Sequence, residues 1–369
     1  MRGKRGTGAC LAGIGLALVL PSGTCAHSVR DAASDAAAMG TAVRPVRVVF
    51  SDLDGTLVHF EPWFAKHGVR VVDRESAADG ESARDGFRAV VESGAGERRA
   101  CRVLPPSTMG PGYVSDETVR LVDALRWRGV TFVVITAARK STLLERLPHL
   151  PRADVYVCEC GTRILYGDDL ELDRDWAARF EHISGPLETD VPADERPQPL
   201  WQLCRRMREA GLAVDTRSYY GCFRVSATCA EDVALVEALR AELDAHGVIG
   251  CSINLGKFDF YPASCGKGNA VRYLQAKLGL PKADSAALFD DDNDLPMAEE
   301  CDQQFLPALT SDSIVAAVRA HPQWRVAARC GQGVFAVEEL LEALLAALPA
   351  ASGGAAEKAR EAATVAATR

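Results

Sequence analysis

The run Val46-Arg47-Val48-Val49-Phe50-Ser51 ends in Asp52-Leu53-Asp54-Gly55-Thr56, and this junction constrains the chain more than any other segment. A short β-branched run that stops at two carboxylates one residue apart reads as a parallel strand. Its carboxyl end is where ligands collect in open α/β sheets. Side chains two apart on extended backbone point the same way. Asp52 and Asp54 can therefore converge on one small volume, where like charges are tolerable only with a cation or a shared proton. A bare Asp-x-Asp is most often a strand cap. Partner segments further along the chain change that reading.

The elements after this strand follow a βαβ rhythm. Ser115 is a helix N-cap, Asp116 and Glu117 favour the positive end of the helix dipole, and Gly129 ends the helix. Thr131 to Ile135 is a fully apolar strand ending in Thr136-Ala137-Ala138-Arg139; a helix (Thr142 to Leu147) and the strand Val155 to Cys158 follow. Strand, helix, strand in this order predicts an α/β fold, a doubly wound, Rossmann-like parallel sheet. Residues 61–113, rich in Gly, Ser, Arg and Glu and closed by Pro105-Pro106 and Gly110-Pro111-Gly112, are expected to be mostly an inserted, partly mobile loop.

From 164 to 258 the pattern becomes α+β, with short alternating runs (222–226, 252–255) and helical stretches (200–210, 230–246). Core character resumes with the helix carrying Ala270, Val271, Leu274 and Leu278, then the strand Ala286-Ala287-Leu288-Phe289 and a last apolar helix, 337–348. The expected organisation is a core in two parts, 46–163 and 259–348, with 164–258 inserted as a cap, and a disordered tail at 349–369. Arg2, Lys4 and Arg5 precede an apolar stretch from Ala9 to Leu20 and the small-residue site Thr24-Cys25-Ala26. That layout suits a secretory signal or an organelle (plastid or mitochondrial) leader, so 1–45 is set apart from the fold. The apolar stretch is shorter than the roughly 20 residues of a membrane span, and the body is expected to be soluble, with no stable membrane insertion.

A net charge of −8 argues against nucleic acid as a partner. The 12 cysteines include no Cys-x-x-Cys pair and no zinc-type spacing, so they read as buried free thiols; Cys158 and Cys160, alternating on a strand, should face opposite ways. The cluster Asp290-Asp291-Asp292-Asn293-Asp294 asks for a metal ion. It is not a calcium loop, because the positions that need Gly and Glu hold Leu295 and Cys301. Asp291 and Asp292 read as turn residues or as charge behind the ligands, rather than as ligands themselves.

Four segments in register, Asp52/Asp54, Thr136, Lys267 and Asp290/Asp294, resemble the four motifs of the haloacid dehalogenase-like (HAD) phosphatases. The cap-sized segment, with Glu159-Cys160-Gly161, Phe258-Asp259-Phe260-Tyr261-Pro262 and Lys267-Gly268, is similar to the Cof-type and sucrose-phosphate phosphatase branch, which carries a C2-type cap. The sequence departs from the family pattern at Ala137, Phe289 and Cys160, none of them a reacting group.

The resemblance implies that Asp52 is the nucleophile and forms an aspartyl-phosphate. Asp54 then acts as general acid and base, and Thr136 and Lys267 hold phosphoryl oxygens. Mg2+ would sit on Asp52, the Asp54 carbonyl and Asp290, with Asp294 close behind or in contact. Three readings stay open here: a phosphatase for a small phosphorylated metabolite, a sugar phosphate foremost; a phosphomutase of the same chemistry; and a catalytically idle metal- or partner-binding module. Arg217, Arg224 and Lys257 are the cap's specificity candidates, and Arg139 either salt-bridges locally or reaches substrate.

Overall fold

The strand Val48–Ser51 lies inside an eight-stranded sheet, and every further feature of the site follows from its neighbours. The computed structural model describes residues 42–74, 87–107, 109–243, 247–254 and 257–350. Most of the leader (1–41) and the tail from 351 lie outside the described residues.

On one side of the central strand stand Thr131–Ile135 and Val155–Cys158, both parallel to it, then Arg163–Tyr166, antiparallel to Val155–Cys158, and Glu171–Leu172, antiparallel in turn to Arg163–Tyr166. On the other side stand Ser285–Leu288, Gln303–Leu306 and Arg325–Val326, all parallel. The sheet is buried on both faces, which explains the unbroken apolar runs. Val48, Phe50, Val133 and Ile135 pack into one apolar cluster, and Val49, Phe132, Val134 and Leu288 into the other.

The first cluster continues into a second layer, the antiparallel sheet formed in order by Ala213–Asp215, Phe223–Ser226, Lys257–Pro262 and Ile249–Asn254. Helices Pro199–Glu209 and Ala230–Leu243 complete this cap. Its last strand, Lys257–Pro262, pairs wholly within the cap sheet, and the strands at 163–172 pair with the core sheet. The chain thus enters the cap later than residue 164 and leaves it later than 258.

The described residues of the expected loop at 61–113 are instead mostly folded. His59–Phe60, Gly112–Ser115, Arg98–Val103, Phe87–Glu92 and Arg70–Arg74 form a five-stranded antiparallel sheet in that order. Its charged residues are cross-strand partners rather than solvated loop. Glu92 lies opposite both Arg70 and Arg98 and accepts hydrogen bonds from each, at 2.5 and 2.7 Å. The other face buries Ala89, Val91, Cys101 and Tyr113 against Phe64, Val334 and Phe335. The last two belong to helix Val334–Ala347, three residues longer at its start than the sequence suggests. A second tie is Glu338, which accepts from Arg99 Nε (2.7 Å) and Ser115 Oγ (2.6 Å).

Strand Val155–Cys158 stops before Cys160. Glu159, Cys160 and Gly161 all adopt positive φ (50°, 56° and 88°), so Cys158 and Cys160 part by a left-handed turn and not by strand alternation. Among the described residues ten cysteines are free, seven of them buried. No described helix is long and apolar enough to cross a membrane.

Phe335 is the joint between the inserted sheet and the core. Phe335→Ala should cost about 3–5 kcal/mol in denaturant unfolding. Amides of strands 87–92 and 98–103 should lose hydrogen-exchange protection together; full retention would mean that the insert stands without the helix.

Candidate active site

Three adjacent strands end at the same edge. Ser51 lies beside Val134 on one side and Leu288 on the other, so Asp52, Thr136 and Asp290 follow at one level of the sheet. The Asp52 amide donates to Leu288 O (2.9 Å), fixing the turn-off of the first carboxylate. Thr136 is buried, its amide bonded to Val157 O (2.8 Å), and its Oγ1 accepts from the Ala138 amide (3.1 Å).

Lys267 opens helix Lys267–Leu278 and is 6% exposed. Its Nζ donates to Asp52 Oδ1 at 2.6 Å and to Asp294 Oδ1. Asp290 accepts from Thr56 Oγ1 at 2.7 Å. Gly55, at φ +101°, is required at this turn, because a Cβ on it would lie 2.2 Å from Asp290 Oδ2. Asp291 and Asp294 form a reciprocal capping box around the turn Asp292–Asp294, and Asp292 accepts from Ser311 (2.6 Å) and Ser313 (2.7 Å). Both Asp291 and Asp292 are thus turn residues.

Carboxylate oxygens of Asp52, Asp290 and Asp294 lie within 4.8 Å of one another, all buried, with a single ammonium among them. Fully ionised, the group carries excess negative charge. Hard oxygen donors in a dry, negatively charged nest fit a small divalent cation such as Mg2+. Burial pushes Asp52 upward against the opposing pull of Lys267. Asp290 is driven well above the ordinary carboxylate range by burial, then by Asp52 and Asp294, and Asp294 reaches about 8 by burial and the charge of Asp52. Burial alone would lower Lys267, but Asp294 and Asp52 outweigh it and hold it protonated.

Asp54 stands apart from these three side chains. It lines the cavity above them, and its Oδ1 accepts from Arg146 Nη1 at 2.7 Å. Arg146, 4% exposed on helix Lys140–Arg146, was not foreseen from the sequence. Its only signal there is a place one turn after Leu143, on that helix's buried face. Arg139 forms a salt bridge that is not local: it reaches Asp215 Oδ2 (2.7 Å) on the cap strand Ala213–Asp215, with its guanidinium 4.7 Å from the Tyr219 ring centroid, while lining the cavity. Of the cap candidates, Arg224 lines the cavity but is held by both oxygens of Asp259 (2.6 and 2.7 Å). Arg217 and Lys257 do not line it. The cavity measures about 700 Å³.

A parallel core of this order, with a cap over carboxylates at its strand ends, defines a HAD-like phosphatase of the sucrose-phosphatase branch. Residues 115–304 match the family described as Sucrose-6F-phosphate phosphohydrolase, and the chain belongs to that family. The match includes Thr136, Lys267, Asp290 and Asp294 and begins after Asp52 and Asp54.

Among solved structures, the sucrose-phosphatase from Synechocystis sp. PCC6803, in complex with sucrose and phosphate, is similar at 14% identity and TM-score 0.51, over 81% of this chain and 99% of that one. A Thermoplasma acidophilum protein is similar at 12% identity and TM-score 0.52, over 81% and 100%. A Streptococcus mutans UA159 protein is similar at 13% identity and TM-score 0.50, over 82% and 99%. These likenesses show the fold. No curated protein matches the chain.

The raised carboxyls have a consequence for the metal-free protein. Asp294 keeps its proton up to about pH 8 when folded but releases it near 3.8 when unfolded. Its contribution is therefore fully present below about pH 4 and lost as pH rises toward 8. In chelator, the melting temperature should fall between pH 5 and pH 8, and Asp294→Asn should flatten that slope. An unchanged slope in the variant would contradict this assignment.

Proposed function

We propose that this phosphatase is Mg2+-dependent and hydrolyses a small phosphorylated metabolite, a sugar phosphate foremost, through an aspartyl-phosphate on Asp52. The observation that carries this reading is the meeting of Asp52 and Asp290, remote in sequence, at the floor of one cavity, with Lys267 and Asp294 buried against them. Phosphoryl transfer is mostly a matter of alignment and charge neutralisation, and these groups supply both.

In the first half-reaction a carboxylate oxygen of Asp52 attacks phosphorus, the bond to the leaving oxygen breaks, and Asp54 gives that oxygen its proton. In the second, water attacks the same phosphorus, Asp54 takes a proton from it, and the Asp52–phosphorus bond breaks to release inorganic phosphate. Thr136 donates to a phosphoryl oxygen, and Lys267 offsets the charge of both nucleophile and phosphoryl group. Mg2+, held by Asp52, Asp290, Asp294 and the Asp54 carbonyl, would neutralise phosphoryl charge when bound. Arg146 holds the Asp54 carboxylate over the floor, where the leaving oxygen departs. The cap closes the site from above and limits bulk water.

The full chain should hydrolyse p-nitrophenyl phosphate with Mg2+ and not with EDTA. Asp52→Asn should lose at least about 10³ in kcat, roughly 4 kcal/mol, while melting as a folded protein. Unchanged turnover in that variant rejects the mechanism. Arg146→Met should lower kcat about tenfold, near 1.4 kcal/mol, more than it raises KM, with partial recovery in Arg146→Lys. Equal losses in kcat and in substrate binding would make Arg146 a general phosphate contact instead.

A further inference from the structure

The cavity above the carboxylates has two opposed walls. One comes from the cap, with Tyr219, Arg224 and Ile253; the other comes from the first strand of the inserted sheet and the short helical turns after it, with His59, Phe60, Trp63 and Lys66. On the cap wall the polar groups are already engaged, Arg224 by both oxygens of Asp259 and the Tyr219 ring by Arg139.

The insert wall is different. His59 is 4% exposed, and its Nε2 is buried with no hydrogen-bond partner among the described residues. Burial pushes this ring down to about 3, so it is a neutral imidazole with hydrogen-bonding capacity to offer. Such an unmet group costs on the order of 1–3 kcal/mol until something pairs with it. Trp63, partly exposed, packs edge-on with Phe60 at 5.0 Å between centroids and presents indole to the cavity. Lys66 is exposed and, of the lysines and arginines lining the cavity, is the one without a carboxylate partner among the described residues. All four residues precede residue 115, where the family match begins.

We infer that the insert, and not the cap, reads the leaving group, with Trp63 lying against the apolar face of a polyhydroxylated ring and His59 bonding one of its hydroxyls. An aromatic surface beside a neutral, unpaired hydrogen-bonding group suits a sugar ring, which has one C–H face and a rim of hydroxyls. The inference rests on the phosphatase reading above and assigns its specificity to residues outside the shared family segment.

The test compares the full chain on a panel of hexose and disaccharide phosphates with acetyl phosphate, whose leaving group has neither ring nor hydroxyl. Trp63→Ala should lower kcat/KM for the best sugar phosphate at least tenfold more than for acetyl phosphate, through KM, and Trp63→Phe should regain most of it. Trp63→Leu, which keeps much of the volume without an aromatic face, should show the same relative loss. His59→Gln should reduce the same ratio about fivefold. Ratios within twofold of the parent in all of these, or equal losses on both substrates, would overturn the inference and leave the insert a structural support. A parent that turns over acetyl phosphate and no sugar phosphate overturns the inference while leaving the phosphatase chemistry standing. A parent active on neither rejects the phosphatase reading itself.

Discussion

Three carboxylates and one ammonium, all taken out of water at the end of a sheet, are the arrangement on which the rest of the structure depends. Bringing Asp52, Asp290 and Asp294 this close is unfavourable by itself, because each desolvated charge raises the others. The fold holds them there anyway. Adjacent parallel strands deliver Asp52 and Asp290 at one level, and the capping box fixes Asp294 beside them. Lys267, at the first turn of its helix, bonds two of the three. Gly55 gives up a side chain so that Asp290 can approach. Such an expensive concentration of charge is characteristic of a functional site.

The layers around this floor divide the remaining work. The left-handed turn at Glu159–Gly161, between two core strands, reaches the cap through its side chain, with Glu159 Oε2 accepting from the amides of Tyr220 and Gly221 at 2.9 Å each. That couples the cap to the edge of the site through a buried carboxylate rather than a loose linker. The inserted sheet braces the opposite side through Phe335 and Glu338 of the last helix. The floor thus sits between two independent walls; the segment matched to the family takes in the cap and, of the floor, Lys267, Asp290 and Asp294, but not Asp52.

Much of the site could be read from the residue order, because its chemistry sits at strand ends and in dense polar motifs. Asp52 and Asp290 follow short apolar runs of strand length, and Lys267 and Thr136 gain meaning by falling in register with them. The inserted sheet was hidden for a physical reason. Its strands bury one face only, and the other carries Arg70, Glu92 and Arg98, which look like a solvated loop until they are seen as opposite neighbours across strands. Arg146 was hidden for another reason, since a buried guanidinium on a short helix has the same local sequence as an exposed one. The break of the strand before Cys160 depends on backbone torsion that no alternation pattern reports.

The most direct measurement is capture of the covalent intermediate. Turnover of a phosphate ester with Mg2+ is quenched, the acyl phosphate is reduced with borohydride, and the modified peptide is mapped. Homoserine in place of aspartate at position 52, absent without substrate, is the expected result. Modification at another residue, or turnover with no modified peptide at all, would contradict nucleophilic attack by Asp52.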